Sequence, residues 1–444
     1  MNLPPFLAIV AVLAALGALF GFVKVLQARA TIDSEVARKL VHIGMGIVCL
    51  SFPWLFSEQW PVWVLAGLAV GSLTLLRLIP AVKAQLGDVL HGVKRASLGE
   101  MYFPLAVAAV FSLSQGEPLR FMVPVALLTF ADAAGALVGK RWGRHRFETL
   151  EGRKSVEGSL AVGLVSAAIV AAALLVRGDT LTHALLVAVI MGLFGALMEA
   201  IAWRGLDNAF LPLAAFAQLT VYLDIPTAPL VARLLVLVSL TVLAILWRRG
   251  AIINGGARLG AALALFFFWA VGGWPWLIAP ALLLASYVRL MPTIPGGVPR
   301  HNLLAVLCVG SAALPWAVAH AMQPQAGWLW PYTVGLTAQQ AIIAAVRCAQ
   351  ARGGWASWRC AAVGVAQAVL VQLALGYSLA IGRLLTLAEL LTGASAVVLG
   401  LAAFLVVERQ LRQPDDLNAR WWKQGATALG AGACAMLATL SLLP

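Results

Sequence analysis

The stretch "FMVPVALLTFADAAGALVGKRWGRHRFETLEGRKSVEGS" (residues 121–159) joins a membrane-like segment to a strongly charged one. Its first eleven residues are almost entirely apolar, and Asp132 follows them directly. Nine more charged residues and five glycines come between Asp132 and Ser159. A carboxylate inside hydrocarbon is costly unless something binds it. The stretch therefore predicts a membrane helix that ends in a site for a charged ligand.

The composition places the whole chain in the bilayer. Of 444 residues, 62% are hydrophobic and only 11% are charged, and the mean hydropathy is +0.92. This is typical of polytopic membrane proteins, and apolar segments of about 20 residues favour helices over barrel strands. Residues 7–23 predict a retained helix, because no small-residue cleavage site and polar mature chain follow them. Five scattered cysteines without CxxC spacing predict free thiols.

We predict an all-α polytopic integral membrane protein with about 16 transmembrane helices in two halves. A first membrane domain would cover residues 1–250, and a second helical membrane domain, predicted to be non-catalytic, would cover residues 251–444. The predicted spans are 6–23, 40–56, 62–79, 101–114, 120–139, 158–176, 183–201, 209–223, 229–247, 259–273, 275–290, 303–321, 328–346, 360–379, 385–406 and 424–442.

The net charge of +13 reflects topology rather than a nucleic-acid partner. With the N-terminus outside, 27 of the 31 Lys and Arg residues fall on the inside. The four on the outside are Arg120, Arg177, Arg233 and Arg383. Such an asymmetry is the positive-inside signal. It predicts an integral protein of a bacterial inner membrane, and it leaves the oligomeric state open.

Four polar clusters fall on the predicted cytoplasmic side. They are "IDSEVARKLVHIG" (32–44), "VKRASLGEMYFP" (93–104) with Glu100, the loop after Asp132, and "GALMEAIAWRGLDNAFLP" (195–212). A site that takes a charged substrate from the cytosol and an apolar one from the bilayer would need such a convergence. Asp132, Glu199 and Asp207 lie at or beside helix ends in apolar surroundings. We interpret them as ligands of a divalent metal ion.

The loop after Asp132 has the composition of a phosphate-binding segment. Its basic residues are Lys140, Arg141, Arg144, Arg153 and Lys154. Its glycines allow the backbone to come close to an anion, and Ser155 would begin the next helix, whose N-terminus can face a phosphate. Polyphosphate chemistry needs these groups together with carboxylate-held cations.

Simpler interpretations of the same residues remain open. Glu35 and Lys39 have the spacing of an ordinary helical ion pair, and His42 could donate to a backbone carbonyl. Gly135 and Gly139 have the small-xxx-small spacing of helix packing. The basic loop taken alone could be an orientation signal.

The motifs resemble a known family. "DAAGALVGKRWG" and "RKSVEGS" are similar to the signature of CTP-dependent polyprenol kinases, the phytol and dolichol kinases, and of the related phosphatidate cytidylyltransferases. "EVARKLVHIG" (35–44) and "LDNAFLP" (206–212) resemble motifs of the kinase branch. The resemblance covers roughly residues 30–225.

The resemblance implies transfer of the γ-phosphoryl group of CTP to the hydroxyl of a long-chain isoprenoid alcohol. It implies Mg²⁺ held by Asp132, Glu199 and Asp207, with Asn208 in the same catalytic set. The nucleotide- and substrate-binding residues that it implies are Arg38, Lys39, His42, Lys140, Arg141, Lys154, Ser155, Glu157 and Gly158. No step is assigned to Glu157 or Asn208, and "GEMYFP" matches the family too loosely to give Glu100 a role.

The second half weakly resembles the membrane family that contains phytyl-phosphate kinases. The acidic motif expected there is replaced by "GLTAQQAIIAA" (335–345), and Glu389 is the one acid predicted to be embedded after residue 250. One carboxylate does not make a two-metal phosphoryl-transfer site. This half is therefore predicted to be a scaffold or a lipid-binding domain.

Three other functions fit part of the sequence. A phosphatidate cytidylyltransferase would use the same loop but should carry His-Gly-Gly and Asp-Arg-x-Asp stretches that the sequence lacks. A secondary transporter should place ionisable groups near the midplane of both halves, with an internal repeat. A structural membrane subunit would explain the spans but not Asp132.

Overall fold

The computed structural model divides into two compact units. Unit 1 is Met1–Val238 and unit 2 is Ser239–Pro444, so the division falls within one helix. The residues that the structure describes are 4–29, 34–78, 99–149, 152–201, 205–247, 253–292, 301–352, 357–408 and 417–440. Residues 79–98, which hold part of the second predicted polar cluster, and the side chain of Glu35 lie outside them.

Unit 1 consists of helices and one small hairpin. Its elements are α1 (Pro5–Arg29), α2 (Ser34–Leu50), α3 (Phe52–Leu55), α4 (Trp60–Leu78), α5 (Gly99–Ser114), α6 (Pro118–Ala126), a π-helical segment (Leu127–Ala131), α7 (Asp132–Trp142), β1 (Arg146–Thr149), β2 (Gly152–Ser155), α8 (Val156–Arg177), α9 (Leu181–Ile201), α10 (Asp207–Tyr222) and α11 (Thr227–Leu246).

Unit 2 is helical throughout its described part. Its elements are α12 (Gly255–Gly272), α13 (Pro275–Arg289), α14 (Leu303–Ser311), α15 (Leu314–Met322), a 3₁₀ turn (Ala326–Trp328), α16 (Leu329–Ala351), α17 (Ser357–Ala368), a π-helical segment (Val369–Tyr377), α18 (Ser378–Ile381), α19 (Leu387–Val407) and α20 (Leu417–Leu440).

The structure confirms an all-α membrane protein but not the number of crossings. In the described part, nine helices are long and apolar enough to span a membrane, or ten if the bent pair α14 and α15 is one span. The sequence predicted about 16. The remaining predicted segments coincide with helices that are shorter, bent or more polar. These helices do not meet the length and hydropathy of a full span, so the predicted number of crossings is not confirmed.

Helices α8 and α9 pack closely against each other, and their ends position the candidate site described below. Gly178, with φ of +98°, ends α8 in the left-handed conformation that glycine adopts at little cost. A Cβ at Gly192 on α9 would lie 2.6 Å from the carbonyl oxygen of Gly163 on α8, so the two backbones touch. The N-terminus of α8 and the C-terminus of α9 therefore lie at the same end of the pair.

The basic loop contains the one strand pair in the described residues. Strands β1 and β2 pair antiparallel, with Arg146 opposite Ser155 and Thr149 opposite Gly152. Gly152 has φ of +130°, which a residue with a side chain rarely adopts. The hairpin returns the chain to the start of α8, so that Lys154 and Ser155 face the helix ends instead of extending into solvent.

Unit 2 is built around α16. Every residue from Leu329 to Ala349 is buried, and the helix packs most extensively against α17 and α20. Its buried polar residues include Gln339 and Gln340, which contact Gln424 and Gln372 respectively. The helix thus forms the axis of its unit.

Glu389, interpreted above as a membrane-embedded acid, is a helix cap. It lies in the first turn of α19, where it forms a capping box with Thr386 and an ion pair of 2.6 Å with Arg383. Its side chain is 33% exposed. Glu408 is the more buried acid of unit 2, and it pairs with Lys423 and Arg420. Both carboxylates are satisfied by cations of their own unit.

Candidate active site at the ends of α7, α9 and α10

Three carboxylates from three helices meet in unit 1. Asp132 begins α7, Glu199 lies in the last turn of α9 and Asp207 begins α10. One oxygen from each lies within 4.8 Å of the others. Oxygen ligands of a single Mg²⁺ or Ca²⁺ lie at about 2.0–2.6 Å from the ion, so they are at most about 5 Å apart. The spacing and the all-oxygen donor set fit a hard divalent cation.

A π-helical segment sets the position of Asp132. Residues Leu127–Ala131 form this segment directly before α7, and Thr129 donates a hydrogen bond of 2.6 Å to the carbonyl of Val125. Such single π turns are frequent at functional sites, and the extra residue rotates the side chains that follow. Gly46 of α2 lies against this turn: a Cβ there would be 2.0 Å from Oγ1 of Thr129. The close approach fixes α2 against the start of α7.

Two residues of α2 contact Asp132. The Nζ atom of Lys39 lies 2.5 Å from Oδ2 of Asp132, and Nε2 of His42 lies 3.3 Å from the same oxygen. His42 also donates to the carbonyl of Leu128 at 2.8 Å, which was the simpler interpretation of this histidine. Arg38 is the neighbour of Lys39 on α2 and is half-buried. The motif at residues 35–44 thus contacts the carboxylate cluster through Lys39 and His42.

Lys154 of β2 neutralises the second carboxylate. Its Nζ atom lies 2.7 Å from Oε1 of Glu199 and 2.8 Å from the backbone carbonyl of Glu199. Burial alone would lower the pKa of Lys154, but the attraction of Glu199 and Asp207 outweighs it and raises the pKa above its usual value. Lys154 therefore stays charged. A metal ion bound by these acids would compete with Lys39 for Asp132 and with Lys154 for Glu199.

The N-terminus of α8 lies beside α7. Ser155 is the N-cap, and its Oγ accepts a hydrogen bond of 3.1 Å from the amide of Gly158. A Cβ at Gly158 would lie 2.9 Å from the carbonyl of Gly135 and 3.2 Å from the Cα of Gly139. The small residues therefore serve helix packing, as the simpler interpretation held. The same packing brings a helix N-terminus, a natural anion site, next to the loop.

Several predicted residues lie at the rim rather than in the cluster. Lys140 and Arg141 are in the last turn of α7 and are exposed. Glu157 turns away from the three carboxylates and accepts hydrogen bonds from the backbone and ring of His145, the latter at 2.7 Å. The backbone N–H of Asn208 donates a hydrogen bond of 3.1 Å to Oδ1 of Asp207, and this contact orients the carboxylate.

The sequence did not point to His145 or Thr129. His145 and Glu157 close the hairpin from both sides, and their positions just before and just after the two strands are the signal that could have revealed the pair. Thr129 has no comparable signature, because a π turn leaves no local residue pattern.

Comparison with known proteins agrees with the motifs. A family model described as the cytidylyltransferase family matches residues 3–207. A phytol kinase from Synechocystis sp. is 31% identical over 218 residues, which are 48% of this chain and 91% of the relative. No solved structure matches the chain. The matched region contains the three carboxylates and ends within unit 1. The chain belongs to the CTP-dependent polyprenol kinase-like family, the membrane transferases related to phytol kinase.

Proposed function

We propose that unit 1 phosphorylates a long-chain isoprenoid alcohol with CTP at the cytoplasmic face of the membrane. The observation that carries the proposal is the meeting of Asp132, Glu199 and Asp207 within 4.8 Å, beside two lysines and a helix N-terminus. This set supplies cation ligands and phosphate-binding groups at one place. It lies at the ends of apolar helices, where a lipid alcohol can approach from the side.

In the proposed reaction the alcohol oxygen attacks the γ-phosphorus of CTP. A new oxygen–phosphorus bond forms, the bond to the β–γ bridging oxygen breaks, and CDP leaves as the proton of the alcohol passes to solvent. Mg²⁺ held by the three carboxylates would neutralise charge on the triphosphate, which is the main requirement of phosphoryl transfer. Lys39 and Lys154 would exchange their carboxylate partners for phosphate oxygens. The capped N-terminus of α8, with Lys140 and Arg141 at the rim, would orient the nucleotide.

Labelled nucleotide distinguishes this reaction from its nearest alternative. The full-length protein is purified in detergent and incubated with Mg²⁺, CTP and either geranylgeraniol, phytol or phosphatidic acid. We expect label from γ-³²P-CTP in a prenyl monophosphate, and no lipid label from α-³²P-CTP. The name of the matching family model keeps cytidylyl transfer as the second candidate. Label from α-³²P-CTP in a liponucleotide would replace the kinase with that activity.

The membrane face has a separate test. Arg146 lies in the exposed hairpin, and Gln115 lies in the turn between α5 and α6. Single cysteines at these positions should react with an impermeant reagent from opposite sides, Arg146→Cys from the cytoplasm and Gln115→Cys from outside. Reaction of both from outside would overturn the proposed cytoplasmic site.

A further inference from the structure

Unit 2 contains a cavity of about 200 Å³ whose walls are mostly apolar. Residues of the last part of α11 and of α12, α13, α14 and α16 line it. Along α12 it extends from Arg258 to Phe268, ten residues or about 15 Å of helix. That is about half the thickness of the hydrocarbon core of a bilayer. A depth of this kind suits an extended hydrocarbon chain rather than a compact solute.

Polar groups lie at one end of the cavity. Arg258 is in the first turn of α12, Tyr287 is in the last turn of α13, and His301 precedes α14. The hydroxyl of Tyr287 lies 2.5 Å from Nε2 of His301. Burial, together with the positive charge of Arg347, lowers the pKa of His301 to about 4. His301 is therefore neutral near pH 7, and its Nε2 can accept a hydrogen bond from the hydroxyl of Tyr287.

Arg347 contacts Tyr287, one of the residues that line this end of the cavity. It donates to the hydroxyl of Tyr287 at 3.1 Å and to the carbonyl of Pro292 at 2.9 Å. The residue is only 7% exposed, and its guanidinium also lies 5.0 Å from the centre of the Tyr287 ring. Its Nε atom is buried and makes no hydrogen bond within the described part of the chain.

Arg347 also has no acidic partner among the residues that the structure describes. Glu389 pairs with Arg383, and Glu408 pairs with Lys423 and Arg420. A buried guanidinium that gains only neutral partners has a large desolvation cost, which a bound anion would offset. Arginine forks match phosphate geometry, and basic pockets between membrane helices are the usual places for lipid phosphates.

We propose that this cavity binds a lipid whose chain lies along α12 and whose phosphate head group is held by Arg347 and Arg258. Tyr287 fixes the orientation of Arg347 through its hydrogen bond, and His301 fixes Tyr287. The lipid phosphate could be a phospholipid of the bilayer or an isoprenoid monophosphate, because the shared feature is an anionic head on an apolar chain. The proposal concerns unit 2 alone and does not depend on the reaction proposed for unit 1.

Gly310 gives a direct test of the chain-binding part. It lines the cavity on α14, and a Cβ there would meet no atom within 4 Å. Gly310→Phe should therefore fill the cavity without a clash. Gly430→Phe is the matched control, because Gly430 is a helical glycine of the same unit with equally open surroundings and does not line the cavity. Binding of geranylgeranyl phosphate, geranylgeraniol and phosphatidic acid to the delipidated full-length protein is measured by native mass spectrometry.

We expect the Gly430→Phe variant to bind one more phosphate lipid than the Gly310→Phe variant, or to bind it at least about tenfold more tightly. Whether phosphatidic acid or geranylgeranyl phosphate gives the larger difference identifies the source of the ligand. Equal stoichiometry and affinity in the two variants for both phosphate lipids would overturn the proposal. An unchanged melting temperature and an unchanged size-exclusion profile in detergent would show that Gly310→Phe is folded. If that variant aggregates, the smaller Gly310→Leu takes its place.

Substitutions of Arg347 test whether this residue binds the phosphate head group, and they leave the volume of the apolar cavity unfilled. Arg347→Gln should reduce binding of the phosphate lipid at this site by about tenfold and leave binding of geranylgeraniol unchanged. Arg347→Lys should restore part of the preference, whereas Arg383→Gln, which removes a distant exposed charge of unit 2, should have no effect. An unaltered preference for phosphate over alcohol in Arg347→Gln would refute the role of this residue.

Discussion

The two units of the chain contain buried charge of opposite kinds. In unit 1, three carboxylates share one site with two lysines, so the acids exceed their nearest cations by one. In unit 2, the described acids are paired with cations of their own, and Arg347 remains with neutral partners. A surplus of carboxylate favours a metal ion, and a surplus of guanidinium favours an anion. The two proposed sites therefore differ in the charge of the ligand that each would bind.

The largest expected effect is loss of the carboxylate that begins α7. Asp132→Asn should lower the turnover number for CTP-dependent phosphorylation more than about tenfold, because metal-site contributions amount to several kcal/mol. Asparagine keeps the size of the side chain and one acceptor oxygen for Lys39, but it removes the charge that pairs with Lys39, so the melting temperature of the variant is measured alongside turnover. Turnover is measured with γ-³²P-CTP and geranylgeraniol. Asp179→Asn, which removes a carboxylate paired with Arg177 at the other end of α8, is the control and should stay near wild type. More than a tenth of the wild-type rate in Asp132→Asn would contradict the ligand assignment.

The next largest effect should follow from loss of Lys154, the lysine that pairs with Glu199. Lys154→Gln should reduce kcat/KM for CTP by about 10- to 100-fold, because a phosphate-binding charge in a shielded site is lost. Arg153→Gln is the matched control: Arg153 is adjacent in β2 but exposed. It should change kcat/KM less than about threefold. If the two variants were equally impaired, the loop would act through its overall charge and not through Lys154.

A smaller effect should follow from disturbing the π turn. Gly46→Ala places a methyl group against Thr129 and should displace the start of α7. A displacement of about 1 Å can cost up to about 100-fold in rate, and partial relaxation makes about tenfold the expected loss. Gly67→Ala on α4 meets no atom within 4 Å and serves as the control. A wild-type rate in Gly46→Ala, with the same melting temperature, would show that the π turn does not position Asp132.

The smallest effect should be at Glu389. Because this residue caps α19 and pairs with Arg383, Glu389→Gln should leave the phosphorylation rate within a few-fold. The product should remain a monophosphate, and thin-layer chromatography of labelled lipid distinguishes it from a diphosphate. Diphosphate made by the wild-type protein, or a large rate loss in the variant, would mean that unit 2 is a second catalytic centre and would remove the contrast between the units.

The grouping of Asp132, Glu199 and Asp207 was predictable because the hydropathy pattern indicates the helix ends at which these acids lie. Apolar segments indicate where helices end, and each of the three acids lies at or beside such an end. The capping role of Glu389 could also have been predicted from the sequence, because Thr386 and Glu389 have the spacing of a capping box. The sequence interpretation gave weight to its apolar neighbours instead.

Other features depend on contacts between distant residues and have no local signature. The π turn before Asp132 is stabilised by packing against Gly46 of another helix. The cavity of unit 2 gathers Arg258, Tyr287 and His301 from three separate helix ends, each of them unremarkable in its own segment. The predicted number of crossings is not confirmed, because several of the predicted spans coincide with described helices that are shorter, bent or more polar than the nine candidate spans.

The burial of α16 has a consequence for how the protein is made. The helix carries Gln339, Gln340 and Arg347, and it is not among the described helices apolar enough to span a membrane. Alone in lipid, such a segment is costly to insert. Its most extensive partners, α17 and α20, are synthesised after it. Insertion of α16 should therefore become favourable only when α17 and α20 are available to pack against it.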